Sequence, residues 1–165
     1  MADCRSSHVA DANVWIDLLE GGLIEALAHL SFDCVIPDVV LHELSETTRQ
    51  RLQTYGIAEQ ELSPAQIQEV LDLAARYPRP SRTDLFALVL ARSLGTILLT
   101  GDRQLRAAAA AEGVEVHGTL WLLDQMVTEG VIPTREAAVA LEQMRAGDRR
   151  LPENEVAERL QRWRG

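Results

Sequence analysis

Short apolar runs alternate with longer stretches whose apolar residues recur at helical spacing. Runs at about 8–10, 33–37, 96–100 and 114–117 predict strands. Helical periodicity predicts helices near 12–30, 38–55, 64–77, 83–94 and 102–112. Residues 57–62 fit a short edge strand. Beyond Gly118 the pattern is helical only, over about 119–129, 134–146 and 153–164. Strand and helix in alternation imply βαβ units, so a parallel sheet with helices on its faces is expected.

The helix ends have chemical support. Ser63-Pro64-Ala65-Gln66 joins an N-cap, a first-turn proline and the glutamine of a capping box. Gly95 and Gly113 follow helical runs, where a residue of positive φ closes a helix. Thr134 reads as an N-cap and Pro152 as a first-turn proline. Pro78 and Pro80 stiffen the loop before the helix that opens near Asp84. The domain division expected is a nuclease-like unit over 1–130 and a C-terminal helical extension over 131–165.

Four acids stand at the ends of these runs: Asp11, Glu43, Asp84 and Asp102. Each alone has a structural explanation. Asp11 and Asp102 suit helix caps, Asp84 completes a capping box with Ser81, and Glu43 suits a solvated helix. Together they point to chemistry. Three fall at strand carboxyl ends or helix amino ends, where open α/β sheets place ligands. Carboxylates crowded in one crevice repel unless some are protonated or a cation intervenes. Hard divalent cations prefer such oxygen ligands and promote phosphodiester hydrolysis.

The segments around these acids resemble PIN-domain ribonucleases, in particular the VapC-type toxins of toxin–antitoxin pairs. They are Asp11-Ala12-Asn13-Val14-Trp15-Ile16-Asp17, Ile36-Pro37-Asp38-Val39-Val40-Leu41-His42-Glu43-Leu44, Asp84-Leu85-Phe86-Ala87-Leu88-Val89-Leu90-Ala91 and Leu98-Leu99-Thr100-Gly101-Asp102. The resemblance covers about residues 8–125. It implies a three-layer α/β/α fold with a parallel sheet of four to five strands. It implies that Asp11, Glu43, Asp84 and Asp102 are both catalytic residues and ligands of Mg²⁺ or Mn²⁺. Asn13 and Thr100 would support the site, and the reaction would be endonucleolytic hydrolysis of RNA. The partners implied are an RNA substrate, an antitoxin and a second copy of the chain. The alternatives are an RNA-processing nuclease without an antitoxin and a non-catalytic binding module of the same fold.

Composition sets bounds on these readings. The net charge of −9 opposes broad electrostatic binding of nucleic acid. Residues 145–165 run the other way, with six Arg against four acids. All sixteen basic residues are Arg, whose planar fork suits phosphates and carboxylates. Arg82 and Arg103, beside Asp84 and Asp102, are candidates to contact RNA phosphates or an antitoxin carboxylate. Asp17 is expected to face solvent or an Arg. His8, His29, His42 and His117 lack metal-ligand spacing and read as structural or exposed. Trp15, Trp121 and Trp163 read as core. Apolar residues across 38–77 suit a surface for a partner helix. Cys4 and Cys34 read as reduced thiols, and the absence of a signal sequence or a membrane-length apolar run predicts a soluble, cytoplasmic protein.

Overall fold

A computed structural model describes residues 5–147 and 150–165. The expectation for Cys4 lies outside the described residues, as do the charges of Asp148 and Arg149. The elements in order are β1 (Ser7–Ala10), α1 (Ala12–Glu20), α2 (Ile24–Leu27), β2 (Asp33–Pro37), α3 (Asp38–Glu43), α4 (Glu46–Thr54), β3 (Ala58–Gln60) and α5 (Pro64–Arg76). They continue with α6 (Arg82–Leu94), β4 (Leu98–Leu99), α7 (Arg103–Ala111), β5 (Val116–His117), α8 (Thr119–Thr128), α9 (Thr134–Ala146) and α10 (Glu153–Arg164).

The five strands lie in the order β3-β2-β1-β4-β5, and every pairing is parallel. Side chains alternate across the sheet as a strand requires. Ala10, Cys34, Ile36 and Leu99 enter one core with α1, α2, α8, α9 and α10. Val9, Val35 and Leu98 enter a second core with α5, α6 and α7. The sheet is therefore covered on both faces, as the three-layer α/β/α expectation held. Helix α6 is the main strut of the second layer, with Leu85, Leu88, Val89 and Leu90 fully buried. Each such side chain stabilises by about 1.5–3 kcal/mol relative to exposure.

The expected helix over 12–30 is two helices. Gly21 ends α1, and Gly22 at φ 68° turns the chain through a conformation that side chains disfavour. The expected helix over 38–55 is also divided, because Leu44 is extended and Ser45 caps a new helix by accepting from Thr48 N. The run at 57–62 does contain an edge strand, β3, beside β2. Helices α9 and α10 join the first core through Leu141, Met144, Leu160 and Trp163. Arg159 holds α10 on α8, its Nε donating to both Asp124 oxygens at 3.1 Å and its Nη2 to Oδ2 at 2.7 Å. Cys34 is buried and unpaired, and burial pushes its thiol up to about 12. Among the described residues, no helix is long and apolar enough to cross a membrane.

Candidate active site

From β1 the chain works outward to β2 and β3 on one side, then returns to add β4 and β5 on the other. The reversal opens a crevice at the carboxyl ends of β1 and β4, the place where such sheets take ligands. Asp11 follows β1 directly. One of its oxygens caps α1, accepting from Val14 N at 3.0 Å, while Thr100 Oγ1 donates to the other. Trp15 Nε1 donates to Ala10 O at 3.1 Å and fastens the same turn.

Across the crevice, Asp102 caps α7, its Oδ1 accepting from Leu105 N at 2.8 Å. Its own N–H donates to Thr100 Oγ1 at 3.1 Å. Thr100 thus links the two acids, and it is wholly buried. Asp84 is the third residue of α6. Ser81 N donates to its Oδ2 at 3.0 Å, and its own N–H donates to Ser81 Oγ at 3.1 Å. Because α6 leads back into β4, its N-terminus lies at the carboxyl edge of the sheet. Glu43 ends α3 and is exposed.

Electrostatics ties the four acids together. Burial pushes the Asp11 carboxyl up to about 6, opposed by its bonds from Thr100 and Val14 and reinforced by the charges of Asp84 and Asp17. Burial also raises Asp84, against the capping bonds from Ser81, and Asp102 and Glu43 add to the rise. The acids share one field, yet they do not close into a cage. Among the described residues, no three His, Cys, Asp or Glu side chains are arranged to hold a metal ion.

The remaining candidates divide. Asn13 is exposed one turn-start beyond Asp11, and Arg103 is exposed beside Asp102. Both line a cleft of about 810 Å³ between the β4–β5 edge and the 150–159 segment. Arg82 is exposed at the first turn of α6 and does not line that cleft. Asp17 corrects the solvent half of the sequence reading. It is only 6% exposed, and Thr119 Oγ1 donates to its Oδ2 at 2.7 Å. Helix α8 lies across α1 and covers it, a contact that local spacing does not reveal.

Sequence reasoning also passed over His117 and Arg106. His117 stacks on Trp121 at 4.5 Å and 12°, and Arg106 lies beside Gly118, its Nη1 3.9 Å from where a Cβ would stand. The signal available was their position, one at the end of β5 and the other one turn beyond Asp102. Trp15 and Trp163 are core as expected, while Trp121 is only partly buried.

A crystal structure of PAE2754 from Pyrobaculum aerophilum is similar in fold, with a TM-score of 0.58 at 16% identity over 74% of this chain and 96% of that one. A domain of a functionally unknown protein from Methanocaldococcus jannaschii aligns at a TM-score of 0.46 and 20% identity, over 68% of this chain and 90% of that one. No curated protein matches the sequence. The DUF3368 family model, described as PIN domain, matches residues 7–165. With a family match running from β1 through α10, the chain belongs to the PIN domains, which are in general nucleases.

Proposed function

We propose that this chain is a Mg²⁺- or Mn²⁺-dependent endoribonuclease and the toxin of a type II toxin–antitoxin pair. The observation that carries the reading is the placement of Asp11 after β1, Asp102 after β4 and Asp84 at the start of α6, all at the carboxyl edge of the sheet, with Asp84 facing the charges of the other acids. PIN nucleases act on RNA, and the acidic, oxygen-only donor set suits a hard cation. Mg²⁺ commonly takes one or two carboxylates and completes its shell with water, so the absence of a three-acid cage among the described residues is compatible with it.

Asp11, Asp84 and Asp102 would hold the ion, with Glu43 at the margin. The bonds from Ser81 and Leu105 use one oxygen each of Asp84 and Asp102 and leave the other for a ligand. When bound, the ion would supply a polarised phosphoryl oxygen and a more acidic water. Val14 and Thr100 fix Asp11 before substrate arrives, and rigid caps of this kind avoid reorganisation during reaction. Asn13 borders the crevice and offers a polar contact to the strand being cut.

An antitoxin and a second copy of the chain are the proposed protein partners. Exposed Tyr55, Ile67 and Leu71 around α4 and α5 support such a surface. The test is cleavage of tRNA, rRNA and mRNA by purified protein with Mg²⁺, Mn²⁺ or EDTA. Metal-dependent cutting lost in Asp84→Asn and Asp102→Asn is the expected result. No cutting by folded, partner-free protein favours the binding module. Growth arrest on expression, relieved by a co-expressed small protein encoded alongside, distinguishes the toxin from a processing nuclease.

A further inference from the structure

The cleft beside the acids has a second chemistry. Its charged lining includes Arg103, Arg106, Arg150 and Arg159 against Asp17, Asp102 and Glu155, in a chain whose net charge is −9. Arg159 is committed to Asp124. Arg103, Arg106 and Arg150 form no ion pair with any described residue. Unspent guanidinium groups along one wall suit phosphates.

The cleft also holds the end of an aromatic column. Phe32 stacks on Trp121 at 5.7 Å and 28°, and Trp121 on His117 at 4.5 Å and 12°. His117 ends the column, partly exposed and lining the cleft. It pairs in register with Leu99, and its carbonyl accepts from Thr100 N at 2.8 Å, so it stands next to the loop that carries Asp102. A flat ring backed by a packed column is a platform for a base.

We propose that this cleft seats a single strand of RNA, its phosphates against Arg103, Arg106 and Arg150 and one unpaired base on the outer face of His117. The proposal rests on the ribonuclease reading and adds how the strand is gripped. The RNA must be unpaired there, because a base inside a duplex offers no free face. The cleft, at about 810 Å³, falls within the roughly 300–1,000 Å³ typical of ligand sites. Of the tail's charged residues, Arg150 and Glu155 line the groove, as does Arg159, which is paired with Asp124.

The test measures binding in an Asp84→Asn background with Mg²⁺, so that the strand stays intact. The probes are a fluorescent single-stranded 12-mer RNA, the same RNA annealed to its complement, and a 2-aminopurine version. Replacing both Arg103 and Arg106 by Ala is expected to weaken single-strand binding at least tenfold and to flatten the salt slope by roughly 0.7 per lost phosphate contact. His117→Ala is expected to cost about tenfold and to abolish 2-aminopurine quenching, whereas His117→Phe restores both. Arg135→Ala, exposed on α9, is expected to change neither. Equal affinity for duplex, unchanged binding by His117→Ala, or equal competition by an acidic peptide would overturn the proposal. Wild-type cleavage run in parallel separates the failures. Stack-dependent binding without cutting sinks the nuclease and spares the cleft, while cutting indifferent to these substitutions does the reverse.

Discussion

The two sides of the crevice are built by different means. On the carboxylate side, each acid is held by its own helix: Asp11 by Val14, Asp84 by Ser81 and Asp102 by Leu105. These capping partners lie three residues away, and the one distant tie among the acids is the Thr100 hydroxyl on Asp11. The far wall of the cleft, where α8 and α10 meet α1, is assembled over long separations. Arg159 reaches Asp124, thirty-five residues back, and Thr119 reaches Asp17 across a hundred and two. The candidate acids are thus capped locally, while the far wall of the groove depends on the first core being packed.

The largest expected effects are on the chemistry of the acids. Asp102→Asn and Asp84→Asn should cut single-turnover cleavage on the order of 10²–10³-fold, the size of losing one charge-stabilising group. Thermal stability should barely move for Asp102→Asn, because Asn caps a helix about as well as Asp. A collapse of the fold in Asp102→Asn would show that the acid is held by more than its cap.

Next comes Asp11. Its carboxyl binds a proton more tightly folded, at about 6, than in the free state at 3.8. Ionising it therefore weighs against the fold at neutral pH, by up to about 3 kcal/mol. In EDTA at pH 8, Asp11→Asn should be more stable than the parent while cleaving nothing. The gain should shrink as pH falls through about 6 and vanish below about 4. Urea midpoints across that range check the sign, and a loss of stability at pH 8 would refute the buried-charge account.

Smaller effects separate the two sides. Asp124→Ala strips Arg159 of its partner and should cost about 1–2 kcal/mol, for a pair that is partly solvent-screened. Hydrogen exchange should rise in α10 and leave α6 unchanged. Ser81→Ala removes one cap and should cost about 1 kcal/mol, with faster exchange confined to the first turn of α6. If each substitution loosened both sides equally, the division drawn above would fail.

This division also explains what was legible in the sequence. Alternation of strand and helix predicts the three layers, and the apolar cores of β1, β2 and β4 follow it residue by residue. Asp11, Asp84 and Asp102 stand out because a cap has a local signature. Their electrostatic coupling does not, since it needs the strand order. Asp17 is expected to face solvent or an Arg, because nothing within its own helix marks the cover provided by α8. His117 lacked any ligand spacing, and its stack with Trp121 exists only once β5 turns into α8. The helix breaks at Gly21–Gly22 and Ser45 were visible as residue types but were outweighed by the surrounding periodicity.

Thr100 deserves a last physical reading. Its hydroxyl gives its single proton to Asp11 and receives the N–H of Asp102 on its oxygen. A side chain with one proton to give makes the linkage directional. It also couples the loops mechanically, so a displacement of the α7 start is passed to the end of β1. A shift of the Asp102 N–H would act on Asp11 through one hydroxyl group. The crevice then responds as a single lever, with its pivot buried under the sheet edge and beyond the reach of solvent.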